Sequence, residues 1–321
     1  MRVWCNGDFG KEGMGLLAHG LGAHTLVLSG RRSRSVLDAG QRDPALAEAD
    51  IAFGQPDPAD CIESGTLRWV EVSTAGYTRY DTEGFRGAMR SRGAAFTNAS
   101  QVYADACAEH ALAMMLALGR QLLASYAGQL GDRPWPYNDR RDASRLLTGR
   151  TVVLLGFGSI GRRLAALLAP FGGRIYAVRR QIRSEPGVHV VPEAELTRVL
   201  GEADHVVDVL PENDSTRNYV NARRIACFKA GAWFYNLGRG ATVDQDALME
   251  GLGSGRIGAA YLDATVPEPL PPGHPLWSAP NCFITPHTGG GRGGVNLALV
   301  RHFLDNLAAF EGGRPMTDRI L

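Results

Sequence analysis

Short apolar runs alternate with polar, helix-compatible stretches through the first part of the chain: RVWC, HTLVLS, IAFG, LRWVEVS and AAFTN. Runs of that length with helical segments between them predict parallel strands in an α/β layer. YADACAEHALAMMLALGRQLLASYAGQL carries no proline and predicts one helix of about seven turns. RPWPYNDRRDASR, with its prolines and charge cluster, reads as a surface loop. From Thr151 the alternation restarts more strongly. TVVLLGFG reads as strand and turn, SIGRRLAALLAPFG as helix and RIYAV as strand. AELTRVLGEA and DQDALMEGLGSG then read as helices, and HVVDVLP, AWFYNL, AAYLDA and CFITPH as strands. Such βα repetition predicts a doubly wound parallel sheet. TGGGRGG (Thr288–Gly294) has the composition of a hinge, and VNLALVRHFLDNLAAFEGG that of a closing amphipathic helix.

At 321 residues the chain has room for two domains. A charged fraction of 21% and a net charge of +1 give no footprint for nucleic acid or an anionic membrane. The five cysteines are scattered and never spaced C-x-x-C, which argues against a disulfide framework and for a reducing compartment. No His, Cys or Asp cluster has metal-ligand spacing. The start, MRVWCNGDF, reads as a first strand and not as a leader, and the run ALAMMLALG is too short to span a bilayer. The expectation is a soluble, cytoplasmic protein.

Gly156, Gly158 and Gly161 fill the three glycine positions of G-x-G-x-x-G, directly after an apolar strand and at the opening of a helix. In that setting the glycines allow a tight turn, backbone approach to a pyrophosphate and close helix–strand packing. Ser159 and Ile160 complete the phosphate turn, where helix N-terminal amides meet the anion. The next strand then has to present a carboxylate to the ribose of NAD, and here it ends on Arg179 and Arg180. A guanidinium grips a 2′-phosphate that a carboxylate would repel, so the site is expected to prefer NADP(H), with NAD(H) as the lesser option. Arg162 and Arg163 add positive field or are simply solvated.

Further along, NLGRG supplies Arg239, YLDATVPEPLP supplies Asp263 and Glu268, and ITPHTGG supplies His287. All fall at the carboxyl ends of predicted strands or in the loops that follow them, where doubly wound sheets bind ligands. An arginine such as Arg239 can bind a carboxylate and polarise a carbonyl, His287 can exchange a proton near neutrality, and a nearby Glu268 would favour its imidazolium form.

The segments GFGSIG, NLGRG, LDATVPEPLP and TPH, in this order and spacing, resemble the D-isomer-specific 2-hydroxyacid dehydrogenases. STAGYTRYD and FTNASQVYADACAEHALAMMLALGR are also similar to that family's segments, and the likeness spans roughly residues 65 to 310. It implies an α/β protein with a Rossmann cofactor domain, residues 101–289, and a smaller flavodoxin-like substrate domain, residues 1–100 and 290–321, closing about a hinge. It implies Arg239, Glu268 and His287 as the catalytic trio and Asp263 at the nicotinamide amide. Pro211 and Thr216 fall to the cofactor, and Ala75, Gly76 and Tyr77, with Arg239, to the substrate. The helix from about Tyr103 to Leu122 would serve a homodimer. The implied activity is reduction of a small 2-oxo acid such as glyoxylate or hydroxypyruvate. The alternative is a cofactor-sensing, corepressor-like binding protein of the same fold.

Overall fold

The structure is a computed structural model that describes residues 1–33, 40–179 and 182–321. The chain forms two compact units, Met1–Tyr103 with Arg292–Leu321, and Ala104–Gly291.

Among the described residues, the first unit holds a five-stranded sheet of β1 (Arg2–Gly7), β2 (Thr25–Ser33), β3 (Ile51–Gly54), β4 (Trp69–Val72) and β5 (Ala95–Thr97). All pairings are parallel and the order is β2-β1-β3-β4-β5, the flavodoxin-like arrangement. β3 and β4 are buried along their whole length, as expected of parallel strands covered on both faces. The helix Val295–Glu311 returns to this sheet: Phe303 stacks between Phe53 (4.2 Å) and Trp69 (5.0 Å). Among the described residues, the buried charged residue of these strands is Glu71 on β4.

The second unit carries β6 (Thr151–Leu155), β7 (Arg174–Val178), β8 (His189–Val191), β9 (His205–Asp208), β10 (Ala232–Asn236), β11 (Ile257–Leu262) and β12 (Cys282–Ile284). Their order, β12-β11-β10-β9-β6-β7-β8, is the Rossmann order extended by one strand. Side chains alternate between two apolar layers. Val153, Leu155, Val206 and Phe234 face one, and Leu154, Ala177, Val207 and Tyr235 the other.

Three local expectations change. The long apolar helix is two, Ser100–Gly119 and Leu122–Leu130, because Gln121 takes a left-handed φ of 58°. The break is a packing event: the Arg145 amide donates to the Gly119 carbonyl at 2.7 Å. The proline-rich loop contains a short helix, Tyr137–Ala143, and β8 is a strand that the alternation did not reveal. No helix among the described residues is long and apolar enough to cross a membrane.

Candidate active site

Every strand pairing in the second unit is parallel, so the segments leaving β6, β7, β9, β10, β11 and β12 emerge along one edge of the sheet. Strand order reverses around β6, between β7 and β9, the switch point where such sheets bind ligands.

Gly156 follows β6 with φ 92°, a backbone conformation few other residues adopt. Gly161 is required by packing, since a Cβ there would lie 3.0 Å from the Gly156 carbonyl oxygen. Gly158 differs from both. Its φ of −87° is ordinary, and a Cβ would meet nothing within 4 Å. The fold makes no demand for glycine at this position, and its absent side chain leaves room over the N-terminus of the helix Ser159–Leu168. No side chain caps that end, so the Ser159, Ile160 and Gly161 amides lack intrahelical acceptors and suit a phosphate.

Arg179 comes directly after β7. Its side chain is largely buried, and its Nη1 has no hydrogen-bond acceptor among the described residues. A buried guanidinium nitrogen without an acceptor fits a phosphate oxygen. Arg180 lies outside the described residues. Arg163 donates to Asp105 at 2.6 Å, and Arg162 hydrogen-bonds Glu185, so both are paired. Thr216 closes the loop after β9 on itself, its hydroxyl donating to the Pro211 carbonyl at 2.6 Å and accepting from the Asn213 amide at 2.9 Å.

Arg239 sits just beyond β10 in a turn built by Asn236. The Asn236 amide nitrogen donates to the Arg239 carbonyl at 3.0 Å, and its oxygen accepts from the Gly238 amide at 2.9 Å. At Gly240 a Cβ would fall 2.1 Å from the Thr265 carbonyl oxygen, so glycine lets this turn lie against the loop that carries Glu268. Burial pushes the Arg239 pKa down, opposed by the charges of Glu268 and Glu212.

Glu268 Oε1 accepts from the Thr265 amide at 2.9 Å and Oε2 from His287 Nδ1 at 2.8 Å. Burial alone would raise the Glu268 pKa. The His287 and Thr265 hydrogen bonds and the nearby cationic charge outweigh it, and the carboxyl is held below its usual range. Gln245 clamps the same loop, accepting from the Val266 amide at 2.8 Å and donating to its carbonyl at 2.6 Å.

His287 itself has a left-handed φ of 53°. Its amide is shared between the Asp263 carbonyl (3.0 Å) and that of Thr285 (2.9 Å). The Asp263 carboxylate fixes this turn. Oδ1 accepts from the Thr285 hydroxyl at 2.6 Å and the Thr288 amide at 2.9 Å, and Oδ2 from the Gly289 amide at 2.8 Å. A carboxylate oxygen can take two donors, so Oδ2 retains capacity for one more. Tyr261 joins the network by contacts with Thr285 and with His110 from the helix Ser100–Gly119. Cys107, on that helix, is pushed up to about 12 by burial, with the Asp263 charge adding to the rise.

The structure therefore gathers the proposed trio, Asp263, the glycine turn, Arg179, Pro211 and Thr216 along one sheet edge. Ala75, Gly76 and Tyr77 belong to the first unit, in the turn after β4. There Asn98 donates to the Ala75 carbonyl at 2.7 Å, the Thr74 hydroxyl donates to that of Gly76 at 2.6 Å, and the Tyr77 ring packs edge-on against Phe96. Sequence reasoning missed Asn236, Gln245, Tyr261 and the buried Asp208. For Asp208 and Asn236 the available signal was a polar residue closing an otherwise apolar strand, as in HVVD and WFYN.

Comparison with known proteins agrees with this architecture. The family model described as D-isomer specific 2-hydroxyacid dehydrogenase, NAD binding domain, matches residues 112–289. A glyoxylate reductase of Aeropyrum pernix is 31% identical, over 83% of this chain and 81% of the relative. An NADPH-dependent glyoxylate/hydroxypyruvate reductase from Sinorhizobium meliloti, solved with NADP and sulfate, superposes with a TM-score of 0.79. It is 25% identical, over 99% of this chain and 98% of that one. A D-isomer specific 2-hydroxyacid dehydrogenase from Xanthobacter autotrophicus, solved with NADPH, has the same fold, with a TM-score of 0.83 at 24% identity and coverage of 100% and 98%. The match of the family model over more than half the chain, with a relative above 30% identity over four fifths of both chains, places the protein in the D-isomer specific 2-hydroxyacid dehydrogenase family.

Proposed function

We propose that the protein is an NADP(H)-preferring reductase of small 2-oxo acids, with glyoxylate or hydroxypyruvate as the substrate class. The observation that carries this reading is the Glu268–His287 hydrogen bond at the strand-end edge, close to the buried guanidinium of Arg239. The named reductases among its relatives support the substrate class. The nicotinamide cofactor, when bound, supplies the hydride. The protein's own residues do the rest. Arg239 binds the substrate carboxylate and polarises the adjacent carbonyl. His287 gives its Nδ1 hydrogen to Glu268, which leaves Nε2 to deliver a proton to the carbonyl oxygen as it gains charge. Glu268, kept ionised, fixes the orientation of the ring. In the oxidative direction the neutral ring takes the hydroxyl proton back.

For the cofactor, the open space at Gly158, the uncapped helix and the buried Arg179 nitrogen fit a phosphate-bearing dinucleotide. Asp263 Oδ2 is the acceptor available to the nicotinamide amide. Ala75–Tyr77 remain the candidate turn for the substrate carboxylate. A homodimer is supported by exposed apolar side chains on 122–146, including Leu130 and Trp135. Arg120, Pro134, Trp135 and Tyr137 help line an open hollow there of about 990 Å³. Unpaired cysteines, three of them buried, support a reducing, cytoplasmic location. The test is a panel of 2-oxo acids assayed with NADPH and with NADH by absorbance. Turnover of glyoxylate or hydroxypyruvate with the higher kcat/KM for NADPH is expected, and no turnover of any 2-oxo acid with either cofactor would sink the proposal.

A further inference from the structure

Arg179 at the end of β7 is not left without an anion nearby. Glu185 comes back to it. Nη1 of Arg179 stands 3.7 Å from Glu185 Oε1, and the same oxygen accepts a hydrogen bond from Arg162 Nη1 in the first turn of the phosphate helix. The Arg162 guanidinium in turn lies 5.2 Å from the centre of the Phe157 ring, inside the glycine turn. The position of Glu185 is set by the backbone. Its carbonyl accepts from the Val188 amide at 3.2 Å across Pro186 and Gly187, and Gly187 has a φ of 73°. Proline second and a positive-φ glycine third make this a type II turn. A carboxylate is thus held between two guanidinium groups, one from the strand end and one from the helix that receives the pyrophosphate.

We propose that Glu185 tempers the cofactor selectivity of this site, an inference that rests on the dinucleotide reading of the glycine turn. The carboxylate is hydrogen-bonded to Arg162 and offsets part of the charge of Arg179. A 2′-phosphate has to share those cations with it, whereas a 2′-hydroxyl does not carry the charge that Glu185 repels. Glu185 therefore narrows the margin by which the arginines favour NADP over NAD. Arg179 does not reach Glu185 within hydrogen-bond distance, so its Nη1 stays available to the phosphate while the carboxylate tempers the field.

Removal of one unit charge a few ångströms from a phosphate, in a half-exposed site, predicts roughly a tenfold change in affinity. The probes are adenosine 2′,5′-bisphosphate and adenosine 5′-monophosphate, titrated calorimetrically into the wild-type protein, Glu185→Gln and Glu185→Ala. Both variants should bind the bisphosphate at least about tenfold more tightly and the monophosphate within about twofold of wild type. If the bisphosphate affinity is unchanged or falls, or if both probes shift together, Glu185 merely braces the arginines and the proposal is overturned. A wild-type protein that reduces 2-oxo acids while the variants show no change retires this inference alone. Failure of the wild type to bind either probe retires the dinucleotide reading with it.

Discussion

Replacing His302 by Gln removes a charge from the centre of the first unit. The imidazole lies between two carboxylates, Nδ1 at 3.1 Å from Glu71 Oε1 and Nε2 at 3.3 Å from Asp318 Oδ2. Glu71 Oε2 also accepts from Asn306 (2.8 Å) and from the Thr97 hydroxyl (2.9 Å), so the carboxylate ties β4 and β5 to the C-terminal helix. Burial works against the imidazolium, but the hydrogen bonds and charges of Asp318 and Glu71 outweigh it, and the pKa rises from 6.5 to about 9. A shift of that size corresponds to about 3 kcal/mol. The folded state holds this proton more tightly than the unfolded chain. The contribution is therefore complete below pH 6.5, declines as the pH rises and is lost above about 9.

The measurement is urea unfolding of wild type and His302→Gln at about pH 6 and about pH 9.5. Tryptophan fluorescence is the readout, because Trp69 stacks on Phe303 beside His302. Other titrating groups are common to both proteins, so the difference between them isolates His302. Wild type should lead the variant by about 3 kcal/mol more at the lower pH, a midpoint difference of about 1.5 M at an m-value near 2 kcal/mol/M. A gap between the two proteins that is the same at both pH values would refute the buried ion-pair reasoning.

His287→Ala should lower kcat by about a hundredfold or more while leaving cofactor affinity intact, checked by steady-state kinetics alongside cofactor titration. Arg179→Asp should raise KM for NADPH far more than for NADH, and a wild type already faster with NADH in kcat/KM would contradict the selectivity reading. Asp208 is fully buried, and burial pushes its pKa up from 3.8 to about 7 against hydrogen bonds from Thr242 and the Leu210 amide. Its contribution is complete below pH 3.8 and lost by about pH 7, so wild type should forfeit about 4 kcal/mol across that window relative to Asp208→Asn. Thermal melts of the two proteins against pH would show the curves converging or crossing, and parallel curves would contradict it.

The strands were legible because parallel strands covered on both faces need uninterrupted apolar runs, and IAFG, TVVLL and HVV are such runs. Arg239, Glu268 and His287 were legible as candidates because their segments follow strand ends of a doubly wound sheet, where ligands bind, and resemble those of a known family. The break at Gln121 was not, because the stretch that ends the helix lies beyond it: Arg145 docks its amide on the Gly119 carbonyl. Gln245 and Tyr261 were hidden for a related reason. Each acts on a segment more than twenty residues further along the chain, and nothing in its own neighbourhood of sequence announces the partner.

That distinction bears on how the site is held. The side chains proposed as catalytic sit on turns, which on their own would be among the less rigid parts of the fold. Each turn is tied by a polar group that begins in a strand or next to its end: Asn236 for Arg239, Asp263 for His287, and Asp208 through Thr242 for the segment between them. Such groups are costly to bury unless satisfied, and here each accepts or donates at least two hydrogen bonds, so the cost is offset only in the folded arrangement. The same logic governs the end of β7. Counted along the chain, Arg179 and Arg180 make an unopposed cation pair, whereas the Pro186–Gly187 turn places Glu185 against Arg179 and Arg162. Charge at a ligand site is a property of what the fold assembles there, and Glu185 is the residue by which that sum departs from the motif.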